Sequence, residues 1–125
     1  MNVLVDSYGW IEFFSGTKQS KYAAHIEKMN AKEYVTPSIV IYEVYKKLKL
    51  AAGEERALEA CAYIMSHTNV ISLTEKLALE AADFSISLGT AMADSIVIAT
   101  ARANQAKILT EDEHFRKLEN VELIK

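Results

Sequence analysis

The sequence predicts an α/β fold, a three-layer sandwich of helices packed on a mostly parallel sheet. Three observations predict it. Its short apolar stretches lack polar–apolar alternation, as expected of strands buried on both faces. Longer stretches with helical apolar spacing stand between them, which is the pattern of βαβ units. With one Pro and four Gly in 125 residues, 50% of them hydrophobic, the chain has no linker or low-complexity tail and reads as one domain spanning 1–125.

The elements follow in order. NVLV at 2–5 is the first strand and ends abruptly at Asp6. SYGWIEFF then carries helical spacing through Trp10, Phe13 and Phe14, and KYAAHIEKM resumes as a second helix after the break at Ser15 and Gly16. EYVT at 33–36 is the second strand. Thr36 before Pro37 is a helix-start signal, a capping hydroxyl ahead of a proline at the first helical position, and that helix is expected to run to about Gly53.

A fourth helix fits 54–66, a strand fits NVISL at 69–73, and Thr74 opens a fifth helix that ends near Gly89. Thr90 is the expected cap of a sixth helix reaching about Gln105, apolar nearly all round over 96–101 and therefore buried. KILT at 107–110 is a further core strand, and VELI at 121–124 an edge strand.

Fourteen basic and seventeen acidic residues give a formal net charge of −3, which argues against coating nucleic acid through overall positive charge but leaves room for a local site. The single cysteine, Cys61, forms no internal disulfide and sits among apolar neighbours, as an inert core thiol does. The start, MNVLVDSYGW, has too short an apolar run for a signal-peptide core or a membrane span, so a cytoplasmic protein without membrane attachment is expected.

In open α/β sheets, ligands bind outside the carboxyl ends of the strands, where the strand order reverses. Asp6 follows the first strand directly, Asp112 follows KILT by two residues, and Glu43 and Asp94 lie near helix starts that face the same rim. Each acid also has an ordinary use. Asp6 suits an N-cap, Glu43 precedes Lys47 by four residues as in a helix ion pair, and Asp112 lies in a TEDE capping box. Asp94, inside a helix capped by Thr90 and at the edge of a buried face, most needs a partner. Four carboxylates gathered at one rim would repel one another without cations, and hard divalent ions with oxygen ligands, Mg²⁺ or Mn²⁺, are the natural solution. The one Cys and three His residues, His114 included, have no metal-ligand spacing.

Taken together, VDSYGWIEFF around Asp6, SIVIYEVYKKL around Glu43, MADSIVIATAR around Asp94 and ILTEDEHF around Thr110 and Asp112 resemble the PIN-domain ribonucleases, and among them the small VapC toxins of toxin–antitoxin pairs. Order, spacing and length agree over essentially the whole chain. The resemblance implies an α/β/α sandwich with a parallel sheet of about five strands, one or two Mg²⁺ or Mn²⁺ ions, and hydrolysis of RNA phosphodiesters. It implies that Asp6, Glu43, Asp94 and Asp112 are the catalytic and metal-binding acids, with Ser7 and Thr110 as auxiliary hydroxyls. It also implies an antitoxin protein partner and a homodimer. Relatives often carry Ser three residues before the acid of the sixth helix, where this chain has Ala91, with Thr90 beside it.

Metal-dependent in-line attack of this kind would leave a 5′-phosphate and a 3′-hydroxyl. Substrate contacts are expected from Lys46, Lys47 and Lys49 on the Glu43 helix and from Arg102, Arg116 and Lys117, although solvated charged faces have the same composition. Tyr8, Trp10, Phe13 and Phe14 have the chemistry to stack bases, and equally the spacing of a core or interface stripe. Other acid-rimmed folds fit less well. A haloacid dehalogenase-like phosphatase needs a second Asp where Tyr8 stands, and a receiver domain needs an Asp at the end of the third strand, which here runs into SLTEK. An RNA-processing nuclease without an antitoxin and a non-catalytic binding module remain open, and retention of four repelling acids weighs against the latter.

Overall fold

A computed structural model describes residues 2–15, 21–28, 33–111, 115, 118 and 121–123. Strands β1 (Asn2–Val5), β2 (Tyr34–Pro37), β3 (Asn69–Ile71), β4 (Ala106–Thr110) and β5 (Val121–Leu123) form one sheet in the order β3-β2-β1-β4-β5. Every adjacent pair is parallel. The helices are α1 (Ser7–Phe14), α2 (Lys21–Ile26), α3 (Ser38–Ala52), α4 (Glu54–His67), α5 (Glu75–Leu88) and α6 (Met92–Ala103).

The chain steps outward from central β1 to β2 and β3, then returns across the sheet through α5 and α6 to β4 on the other side of β1. Right-handed crossovers put α1 to α4 on one face and α5 and α6 on the other, which makes the three layers. The main core joins Leu4, Val5, Val35, Ile108 and Leu109 of the strands to Trp10, Val44, Ile64 and Ile98 of the helices. A second cluster, Leu77, Ala81, Ile96 and Ala99, ties α5 to α6. As its composition predicts, α6 buries every residue from Ser95 to Ala101. Cys61 is buried, and burial pushes its thiol above the ordinary range, as expected of an inert core residue.

Two expected caps are corrected. Thr36 does not cap α3. Pro37 ends β2 and is itself the N-cap, without a side-chain cap bond, while the fully buried Thr36 hydroxyl pairs with Thr68 Oγ1 at 2.7 Å. Thr90 does not cap α6. Ala91 holds the N-cap position, and Thr90 Oγ1 lies 2.6 Å from Ser95 Oγ, which donates to Ala91 O. In both cases the threonine hydroxyl is turned to another hydroxyl, to which it donates because that partner already donates to a backbone carbonyl. The strand read at 69–73 closes earlier, at Ile71, and the second helix ends at Ile26.

Trp10, expected either to stack bases or to sit in the core, is fully buried. It packs edge-on to Phe13 and Tyr63 and stacks on Phe14, so this aromatic stripe seals α1 onto α4. Tyr8, on the opposite side of α1, is 59% exposed and stays available to a ligand. No single helix among the described residues is long and apolar enough to cross a membrane.

Candidate functional site

The strand order reverses between β1 and β4, where Val5 is in register with Leu109. The next residues on the two strands, Asp6 and Thr110, therefore meet at the carboxyl rim. Asp6 is extended at φ −71° and ψ 170° and caps α1, its Oδ1 accepting from Gly9 N–H at 2.8 Å. Its Oδ2 accepts from Thr110 Oγ1 at 2.6 Å, a bond between residues 104 apart in sequence. The ordinary and the functional readings of Asp6 thus coincide. The cap and the Thr110 hydroxyl together fix the rotamer of a buried carboxylate.

The Glu43 and Asp94 side chains come to the same rim from α3, which follows β2, and from the first turn of α6. Both are half-buried. Burial pushes the Glu43 carboxyl above its ordinary range, the charge of Asp94 adds to the rise, and a hydrogen bond from Ser7 opposes it. Ser7 directly follows Asp6, so Asp6, Ser7, Glu43 and Asp94 form a continuous polar path. Among the described residues Lys47 is not the ion-pair partner of Glu43, and the ion pair that forms joins Lys49 of α3 to Glu54 of α4 at 3.7 Å.

A carboxyl whose pKa is raised in the folded state binds its proton more tightly there than in the unfolded chain. Its stabilising contribution is present below the unfolded value and is lost as pH rises through the folded one. In chelator, thermal stability of the wild type should therefore decline relative to Glu43→Gln between mildly acidic and neutral pH. Parallel unfolding profiles for the two proteins would refute this account of Glu43.

Asp112, Arg116 and Lys117 lie outside the described residues. Among the described residues, no group of three His, Cys, Asp or Glu side chains forms a compact metal cage. The donor set at the rim is nonetheless all oxygen, two near like charges in Glu43 and Asp94 and the fixed Asp6 carboxylate, which is the chemistry hard divalent ions select. Arg102 is not brought to this rim. It lies eight residues beyond Asp94, about 12 Å down the α6 axis, with its guanidinium 4.8 Å from the Phe84 ring centre.

Beside the acids, α1 and α3 enclose an open groove of about 370 Å³ lined by Ser7, Tyr8, Ile11, Tyr42, Glu43, Lys46, Lys47 and Leu50. Lys46 and Lys47 are exposed, and Lys46 Nζ lies 5.7 Å from the Tyr42 ring centre. One end of the groove is thus acidic and the other basic and aromatic.

One residue escaped the sequence reading. Tyr22 of α2 is fully buried, and its hydroxyl accepts from Glu111 N–H at 2.8 Å, with the Thr110 hydroxyl also in hydrogen-bonding reach. Burial, then the charge of Asp6, hold its phenol well above the ordinary range. Its partners are 88 and 89 residues away in the chain, so no local pattern signals it.

Residues 3–121 match the family model of the PIN domain. This chain belongs to the PIN domain family. Solved structures similar to this PIN domain include a toxin–antitoxin complex from Klebsiella pneumoniae, at TM-score 0.83 and 21% identity over 99% of this chain and 98% of that one. Another is Mycobacterium tuberculosis VapC20, described as a sarcin–ricin loop cleaving toxin, at TM-score 0.83 and 17% identity over 99% of this chain and all of the other. A third is VapBC2 from Rickettsia felis bound to a promoter DNA fragment, at TM-score 0.81 and 15% identity, with both chains covered in full. No curated protein sequence matches this PIN domain. At these identities the likeness is one of fold, and it agrees with the sandwich and the parallel sheet read from the sequence.

Proposed function

We propose that this PIN domain is a Mg²⁺-dependent ribonuclease, with Mn²⁺ as a substitute ion, and the toxin of a toxin–antitoxin pair. The observation that carries the reading is the convergence of Asp6, Glu43 and Asp94 from three separate elements on the switch point of the sheet. Asp6, Glu43 and Asp94, with Asp112, would hold one or two ions. A bound ion supplies charge neutralisation at the scissile phosphate and activation of water.

The chain's own residues set the geometry. Thr110 and the Gly9 N–H hold Asp6 in one rotamer, so its charge does not have to be ordered when the ion arrives. Ser7 orients Glu43, whose carboxyl burial holds above its ordinary range, which makes it a fitting acceptor for the proton of an attacking water. Asp94 is anchored by the stiff, buried α6. Lys46 and Lys47 would run phosphates along the groove toward the acids.

The groove supports a protein partner as well as RNA. Its apolar floor, with Ile11 and the exposed Leu50, and its acidic end suit a segment with apolar and basic side chains, as an antitoxin would supply. One of the similar structures is described as a toxin–antitoxin complex. A cytoplasmic homodimer completes the reading, and sedimentation at micromolar concentration checks the dimer.

The central test is cleavage of an RNA pool in Mg²⁺, Mn²⁺ or chelator, followed by mapping of the ends. Cleavage in either metal, none in chelator, and 5′-phosphate and 3′-hydroxyl products are expected. Chelator-resistant cleavage or 2′,3′-cyclic ends would overturn the mechanism. For the groove, Lys46→Ala with Lys47→Ala should flatten the dependence of RNA affinity on salt by about 0.7 in log–log slope per lysine removed. An unchanged slope would remove both lysines from the RNA path.

A further inference from the structure

The acids reach the rim from separate elements, and something must hold the end of β4, which leads to Asp112, at a fixed height relative to Asp6. Tyr22 is built to do so. Its ring lies directly against Gly9, where a Cβ would meet Tyr22 Cε1 and approach Cδ1 to 2.6 Å. Gly9 is the residue whose N–H fixes Asp6 Oδ1. At the other end of the same side chain, the hydroxyl takes the Glu111 N–H at 2.8 Å and lies beside the Thr110 hydroxyl, which donates to Asp6 Oδ2. One buried side chain thus braces both residues that hold Asp6, one through its ring and one through its oxygen.

We propose that Tyr22 is a positioning residue for the metal site, locking Gly9 and the backbone at Thr110 and Glu111 and, through them, the Asp6 carboxylate. The inference rests on the proposed metal-dependent function and deepens it. The phenol oxygen takes a backbone N–H at the end of a core strand, so losing the oxygen loosens that strand end while the ring keeps the core filled. Groups that support metal ligands from behind in this way cost about 10- to 100-fold in metal affinity or activity when removed.

The test compares wild type, Tyr22→Phe and Asp94→Asn by calorimetric titration with Mn²⁺ alone, by RNA cleavage across a Mn²⁺ series, and by thermal unfolding in chelator. Tyr22→Phe is expected to bind Mn²⁺ about 10- to 100-fold more weakly, and to regain most of its cleavage rate at high Mn²⁺ with little change in the KM for RNA. Asp94→Asn is not expected to regain activity at high Mn²⁺. Equal Mn²⁺ affinity and equal cleavage curves for Tyr22→Phe and wild type would overturn the role of Tyr22 and leave the nuclease reading intact. Failure of wild type itself to bind Mn²⁺ would overturn both. Loss of cooperative unfolding in Tyr22→Phe would overturn positioning in favour of a purely structural role.

Discussion

Asp94→Asn should lower metal-dependent RNA cleavage by more than about 100-fold, the upper end of what loss of a supporting group alone costs, while leaving the fold in place. The substitution keeps the shape and removes the charge. The side chain lies in the first turn of α6 and is half-buried rather than packed in the core. The lost charge has two opposing effects on stability. A helix start favours an anion by about 0.3 to 1 kcal/mol, whereas the neighbouring Glu43 carboxyl is pushed up partly by that same anion. The two roughly offset, so thermal unfolding in chelator should stay within a few degrees of wild type.

Asp6→Asn should be as inactive and nearly as well folded, for a different reason. The new amide oxygen still accepts from Gly9 N–H, and the Thr110 hydroxyl turns to accept from the new NH₂. Cleavage assays in Mn²⁺-supplemented buffer decide the matter. Wild-type rates for either variant would remove that acid from the chemistry.

Gly9→Ala should destabilise the protein by about 1 to 2 kcal/mol, opposite in sign to the usual effect in a helix. In α1, helix propensity alone favours Ala over Gly by about 1 kcal/mol. Here the added methyl has nowhere to go. It would meet Tyr22 Cε1, lie 2.6 Å from Tyr22 Cδ1 and 2.7 Å from Val5 Cγ1, and with three atoms inside contact distance the overpacking falls in the upper part of the usual range, about 2 to 3 kcal/mol. Both neighbours are fully buried, so neither yields without disturbing the core. For a domain of this size the loss should appear as a fall in Tm of about 4 to 8 °C. Because the displaced ring is Tyr22, the Mn²⁺ affinity should fall together with Tm. A raised Tm would mean that α1 and α2 separate easily enough to admit the methyl.

The sequence made the alternation of strands and helices readable because parallel strands buried on both faces leave unbroken apolar runs, as in NVLV and KILT. The place of Asp6 was readable for a topological reason. A residue that follows a central strand, as Asp6 does, can only emerge at the rim, whatever its neighbours are. Hydrogen-bonding partners were not readable in the same way. Thr36 and Thr90 look like caps because caps are local, and each is claimed by another hydroxyl, Thr68 from a distant element and Ser95 from the next turn. Tyr22 carries no local signal because what it holds is a backbone N–H on another strand. Asp94 lies inside its helix as the sequence implies, although Ala91 rather than Thr90 occupies the cap.

The bond from Thr110 to Asp6 also imposes an order in time. A ribosome releases β1 first and β4 only after the intervening 100 residues, so until then Asp6 lacks the Thr110 hydroxyl and Tyr22 lacks the Glu111 N–H. Contacts this distant in sequence also form late in folding. The Asp6 carboxylate thus gains its second support only when β4 docks beside β1, and the site is a product of the finished sheet rather than of the strand and helix that carry Asp6.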